Sequence, residues 1–371
     1  MRDAKMLRLI WLKQLLSVSL VVCSVCLRVL PSSPMVDAKE KVIFDTDTAY
    51  FNDDGAALVM LLRHREKIDL LGVTVVPGNE WPLQGAEYML HVLETMSAAD
   101  VPLFLGVRAP LVHNEERAKY MAEKWPPVKW LGAFRNPRPL ARSDLRPPFG
   151  GEFPKTRPRS ECGVEFIVET VRQHPGEVTI LALGPLTNIA LAIRVAPDIE
   201  TKIKRLVFMG GNVHVPGNIT PHAEFNFWFD PEAAHAVLSA PIAEKVMFGL
   251  DVTNQAVIGK CQFDELTRDK TPITELLHDD FGRRYPGFLK NSEATAYIWD
   301  CLAAGFLIDP DFVTQHDTLP LEVVTEFGPR YGAVRTAEDG AIFGKPVRVM
   351  RKISFERFYS MYSRLITAPV P

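Results

Sequence analysis

A single α/β domain, with a mainly parallel central sheet and helices on both faces, is the fold class this sequence predicts. From Lys41 onward, short β-type runs alternate with helical runs. The β-type runs are continuously apolar rather than alternating, as in strands buried on both faces. Polar motifs rich in Gly, Pro, Asn and Asp follow directly after several of these runs, where parallel sheets place their ligand-binding loops.

Taken in order, residues 42–44 read as a strand, 56–64 as a helix and 70–76 as a strand. Residues 83–96 form a helical run whose apolar positions include Tyr88, Leu90, Val92, Leu93 and Met96. A strand at 103–105 follows. The segment 108–159 breaks the alternation: it is rich in proline, has little periodicity, and carries Tyr120, Trp125 and Trp130. A loop of that length is usually functional or disordered, and we read it as an excursion near the site mouth. Alternation then resumes with a helix at 161–174, a strand at 178–183, a helix at 186–195, a strand at 205–209, a helix at 231–238 and a strand at 245–248. From Leu319 short strands lead to a final helix at 355–366.

The chain's 371 residues suffice for one large α/β domain. Its net charge of −3 shows no basic excess, which argues against a nucleic-acid polymer as partner and for a small polar substrate. Residues 1–38 read as a secretory signal peptide. Arg2, Lys5, Arg8 and Lys13 precede an apolar stretch from Leu15 to Leu30, a Pro-Ser-Ser-Pro break follows, and Val36-Asp37-Ala38 stands at cleavage spacing. The domain is then 39–371, secreted or extracytoplasmic, with no stable membrane span after processing. An uncleaved anchor is a weaker reading, because the run is short and contains Arg28. If Met35 is the true start, the protein is cytoplasmic. Cys23 and Cys26 fall in the leader, and Cys162, Cys261 and Cys301 are spaced too widely for a disulfide framework or a metal knuckle.

The chemistry concentrates after the first strand. Asp45-Thr46-Asp47 ends it, and Asn52-Asp53-Asp54 opens the next helix. Helix capping accounts for one or two acids at such a turn, not four. Burying the excess needs a cation, and hard oxygen ligands select calcium or magnesium over zinc. An apolar strand followed by Asp-x-Asp also opens haloacid-dehalogenase-like phosphatases, but Ala49 stands where that pattern wants Thr or Val. Further motifs follow other strands: Val76-Pro77-Gly78-Asn79, Leu183-Gly184-Pro185-Leu186-Thr187-Asn188, and Met209-Gly210-Gly211 leading to Gly217-Asn218 and Ala223-Glu224-Phe225-Asn226. Trp299-Asp300-Cys301-Leu302-Ala303-Ala304 lies further on.

In this order and spacing the motifs resemble the inosine–uridine-preferring nucleoside hydrolase family, from about Val42 to about Pro310. The resemblance implies a single α/β domain, a calcium ion at the base of the site, and hydrolysis of ribonucleosides to base and ribose. It implies that Asp47 is the general base and also touches the metal. Asp54, Asp300 and the Leu183 carbonyl are the other implied metal ligands, and Asp45 lies behind them. It places Asp53 on the ribose 2′-hydroxyl, with Asn79, Met209, Asn218, Glu224, Phe225 and Asn226 also gripping the substrate.

Two departures from the family pattern stand out. Five residues, 48–52, separate Asp47 from Asp53, where the family commonly has three and a Pro-Gly. Trp299 stands where uridine-cleaving members often carry a His acid, whereas purine-preferring members can carry Trp and activate the base by stacking. We therefore expect purine preference, with Tyr120, Trp125 or Trp130 facing Trp299 across the base. The competing reading has Trp299 packed behind Asp300 and His278 or another residue as the acid. Two other functions stay open: a metal-dependent hydrolase of another ribosyl compound, and a nucleoside-binding protein without turnover. A homo-oligomer also stays open.

Overall fold

β1 (Glu40–Thr46) is the keystone of the molecule, because the order of the sheet reverses beside it. The computed structural model describes residues 38–370 except 286 and 341–343, so the leader expectation lies outside the described residues. The remaining strands are β2 (Ile68–Val75), β3 (Leu103–Leu105), β4 (Val178–Ala182), β5 (Arg205–Met209), β6 (Lys245–Phe248), β7 (Val257–Gly259), β8 (Thr295–Tyr297), β9 (Val313–Pro320), β10 (Glu322–Val323), β11 (Val334–Arg335) and β12 (Pro346–Ile353). Eight of them form the central sheet in the order β3-β2-β1-β4-β5-β6-β12-β9. Every pairing in it is parallel except β12 with β9, which is antiparallel. β7–β8 and β10–β11 form two small antiparallel ribbons.

The inner strands β1, β2, β4, β5 and β6 run where continuous apolar sequence placed them, whereas the largely exposed β9 was not foreseen. β4, Val-Thr-Ile-Leu-Ala, is buried along its whole length, which only a central strand covered on both faces can be. One apolar cluster fills one side of the sheet, with Val42, Phe44, Leu181 and Val207 among its members. A second fills the other side, with Ile43, Ile180, Ala182 and Phe208. This single domain has the expected class. Among the described residues, no helix is long and apolar enough to cross a membrane.

Two of the differences between the sequence reading and the structure bear on the site. Segment 108–159 is not uniformly irregular. It contains the helix Glu115–Lys124, capped by Asn114, and short 3-10 turns. Phe134, Ala118 and Met121 from it join Phe225, Trp228, Phe229 and Tyr331 in a third, smaller core. Its far end covers the edge strand, with Arg159 N–H donating to the Leu103 carbonyl at 2.7 Å. Beyond β6, the helices Pro272–Arg284 and Trp299–Ile308 were not foreseen, and both border the site.

Between β1 and β4 the connections leave in opposite directions. This opens a crevice beyond the carboxyl ends of the strands, where such sheets bind ligands. Asp45 pairs in register with Thr74 of β2 and Ala182 of β4, so Asp47, Val76-Pro77-Gly78-Asn79 and Leu183-Gly184 emerge together.

Candidate active site

Asp47 lies just past the end of β1 and is buried. Its side chain fits only because two neighbours lack one. A Cβ added to Gly78 would stand 1.9 Å from the Asp47 Oδ2, and one on Gly184 would stand 2.7 Å from the Asp47 Cβ. The glycines of two motifs therefore form a cradle for this carboxylate. Asn79 completes it, donating from its backbone N–H to Oδ2 at 2.8 Å and from Nδ2 to Oδ1 at 3.4 Å. Burial, then the charge of Asp54, pushes the Asp47 carboxyl well above the ordinary range.

Asp53 and Asp54 open the helix Asn52–Leu62, and Asp300 lies in the first turn of Trp299–Ile308. These three buried side chains each offer a carboxylate oxygen, all within 4.8 Å of one another. The Thr46 hydroxyl donates to Asp54 Oδ1 at 2.5 Å, and the Asp300 N–H to Asp53 Oδ2 at 3.2 Å. Burial raises the Asp300 carboxyl strongly, and repulsion from Asp53, Asp54 and Asp47 adds to it. Burial also raises Asp53, but the Arg284 guanidinium pulls it back. A divalent cation with a preference for hard oxygen donors fits this cluster, since it would relieve the mutual repulsion of the buried carboxylates.

The opposite wall centres on Glu224, which caps the short helix Phe225–Phe229. Its carboxylate accepts from the N–H groups of Gly211 (2.8 Å), Asn226 (2.8 Å) and Phe227 (3.2 Å). Burial still pushes its pKa up to about 7 against those bonds. Asn226 Nδ2 donates to the carbonyls of Leu183 (2.9 Å) and Met209 (3.1 Å), tying the ends of β4 and β5 to this wall. The Leu183 carbonyl thus faces Asn226. Asn218 Oδ1 accepts the Phe225 N–H at 3.0 Å. The Phe225 ring belongs to the third core and lies against Gly132, where an added Cβ would come within 2.6 Å of it.

The structure brings Asp47, Asp53, Asp54, Asp300 and Asn79 to one side, and Leu183, Met209, Asn218, Glu224 and Asn226 to the other. Asp45 lies behind them, accepting from the Thr74 hydroxyl (2.5 Å) and Asn188 Nδ2 (2.7 Å). Trp299 is partly buried and stacks on Tyr297, with centroids 5.0 Å apart and planes 26° apart. Its indole N–H finds no acceptor among the described residues. Of the three excursion aromatics, only Trp130 reaches a site residue, its N–H donating to Asn79 Oδ1 at 3.2 Å. Tyr120 and Trp125 pack on each other and on Phe327. His278 is exposed and leans on Phe263.

Sequence reasoning missed several supporting residues. Asn212 Oδ1 holds the Glu224 N–H at 3.0 Å, and Asp251 accepts from Val213 and His214 N–H, both at 2.8 Å, fixing the loop that carries Asn218. Asn212 follows a Gly-Gly pair at a strand end and had a legible signal. Asp251 and Arg284 had none, being far in sequence from what they hold.

A switch-point crevice with a buried hard-oxygen cluster and a wall of Glu and Asn side chains suits a small ligand rich in hydroxyl groups. The sequence narrows this further. The pattern of the inosine-uridine preferring nucleoside hydrolases matches residues 42–360, and the chain belongs to that family. It is similar to the pyrimidine-specific ribonucleoside hydrolase RihB of Escherichia coli strain SE11, at 30% identity over 324 residues, covering 86% of this chain and 93% of the relative. RihB of Escherichia coli O17:K52:H18 strain UMN026 is 32% identical over 320 residues, with the same coverage. Among solved structures, the plant nucleoside hydrolase PpNRh1 superposes with a TM-score of 0.71 at 24% identity, covering 90% of this chain and all of that one. The inosine-uridine preferring nucleoside hydrolase of Bacillus anthracis gives 0.68 at 25% identity, covering 88% and 99%. The chain is accordingly a glycosidase-type hydrolase of ribonucleosides.

Proposed function

We propose that this hydrolase depends on calcium held by Asp54 and Asp300, with Asp53 and Asp47 beside them, and that it prefers purine ribonucleosides. The observation that carries the metal reading is the convergence of three buried carboxylates within 4.8 Å. Held there by Asp54 and Asp300, a hard divalent cation would supply Lewis acidity toward a water and the sugar hydroxyls. Asp47, held by Asn79, takes the proton of the attacking water. Asp53 holds the 2′-hydroxyl, while Glu224, Asn218 and Asn226 fix the remaining sugar hydroxyls so that remote contacts support an oxocarbenium-like geometry. One calcium per chain by elemental analysis of chelator-free protein supports the metal assignment. Zinc without calcium overturns it.

The base preference rests on two indoles, Trp299 beside Asp300 and Trp130 bonded to Asn79. Stacking raises the basicity of a purine so that solvent protonates it as it leaves. The curated relatives are named pyrimidine-specific, so the preference needs its own test: ribose release from inosine, guanosine, adenosine, uridine and cytidine. Faster inosine or guanosine turnover supports the reading, and faster uridine turnover overturns it. Trp299→Ala is expected to lower purine rates by roughly tenfold to a hundredfold, the range of base–aromatic stacking, and to leave a nitrophenyl riboside nearly unaffected.

A further inference from the structure

The loop joining Asp47 to Asp53 carries contacts that the hydrolytic chemistry leaves unused. The Thr48 hydroxyl stitches it internally, donating to the carbonyls of Tyr50 at 3.1 Å and Phe51 at 3.4 Å. Tyr50 stands at φ 73°, a left-handed conformation that a bulky residue adopts only when its surroundings hold it there. From that position the phenol reaches the helix Pro272–Arg284, and its hydroxyl donates to Asp279 Oδ2 at 2.7 Å. Arg283, one turn on, donates from Nε to the same oxygen at 2.5 Å, and its guanidinium lies 5.0 Å from the centre of the Tyr50 ring. Tyr88 closes the other side edge-on, with centroids 5.3 Å apart.

The same helical turn also serves the acid cluster. Arg284 Nε donates to Asp280 Oδ2 at 2.8 Å, and its charge acts on Asp53. The helix thus addresses the Asp loop at two points, Tyr50 and Asp53. Phe51 between them is buried, its ring against Gly55. We propose that Tyr50, Asp279 and Arg283 form a clasp fixing the Asp loop to the helix Pro272–Arg284, and that Tyr50 is thereby a positioning residue for Asp53. The five-residue loop supplies the reason: longer loops sample more arrangements, and a substrate-gripping carboxylate has to be held to within about half an ångström. Without the clasp the free enzyme occupies its competent arrangement for only part of the time. Apparent substrate affinity then falls by that fraction, while the assembled complex keeps its rate. This consequence rests on the reading of Asp53 as a substrate contact.

The test compares the calcium-loaded wild-type protein with Tyr50→Phe, Asp279→Ala and the double variant. Tyr50→Phe keeps the ring and removes only the hydroxyl. We expect KM for the best nucleoside to rise about threefold or more in each single variant, kcat to stay within about twofold, and the double variant to be no worse than the worse single. Amide hydrogen exchange across 48–54 should quicken at least about fivefold in each. Unchanged KM with a lowered melting temperature would make the contact merely structural and overturn the proposal, as would unchanged exchange. Exchange needs no substrate. A wild-type protein that releases no ribose would therefore count against the activity reading, while the exchange rates still decide the clasp.

Discussion

Two walls of one crevice bury carboxylates in opposite ways. Glu224 accepts three backbone N–H groups at the start of a helix, so its charge is solvated by the fold itself. Asp53, Asp54 and Asp300 mainly face one another, with Arg284 the charge that opposes them. Both walls bury charge at a cost, but the first draws more of its compensation from backbone N–H groups. The Glu wall is braced by the backbone around it, whereas the Asp wall gathers carboxylates whose mutual repulsion a cation would relieve.

The largest effect expected from this contrast is on turnover. Asp47→Ala should lower kcat by about a hundredfold or more, since it removes the proton acceptor, with circular dichroism and elution volume unchanged. Rates within tenfold of wild type would remove Asp47 from that role. Next, Glu224→Gln should destabilise the protein by about 2 kcal/mol in urea melts, with or without calcium, because it replaces an acceptor of three backbone bonds by a side chain with a donor arm. A loss seen only in the presence of calcium would place Glu224 on the metal side and erase the contrast.

A smaller effect lies outside the crevice. Asp230 accepts from Leu111 N–H, the Thr187 hydroxyl and Ala233 N–H, yet burial raises its pKa to about 6. The folded state therefore holds this proton where the unfolded chain has released it. Its contribution is full below the ordinary aspartate range and is lost as pH rises through about 6. Urea melts at fixed calcium should show that slope between about pH 4 and pH 6, and Asp230→Asn should flatten it. An unchanged slope would contradict the assignment.

The fold was legible where periodicity had a physical reason to appear. β4 reads as a strand because it is buried on both faces, and Pro82–Thr95 reads as a helix because one face is not. Trp299–Ile308 was unreadable because it is apolar nearly all round, so it has no polar face to mark a helical period. Glu115–Lys124 was hidden for the opposite reason: only Ala118 and Met121 are buried, and its clearest signal was the Asn114 cap with two glutamates after it. At the site, residues lying within strand-end motifs were found from sequence. Arg284, which faces Asp53 from a helix more than two hundred positions away, could not be, nor could Tyr50's link to Asp279. That Trp130, rather than Tyr120 or Trp125, touches Asn79 was not legible in the sequence.

The most direct test of an Asp wall built for a cation is the stability of Asp300→Asn with and without calcium. In chelator-treated protein the variant should be more stable than wild type by about 1 kcal/mol, because one of the mutually repelling buried charges is gone. With calcium added, wild type should gain several degrees in Tm and the variant far less, so their order reverses. A variant less stable than wild type in chelator, together with a wild-type Tm that calcium does not move, would contradict the account.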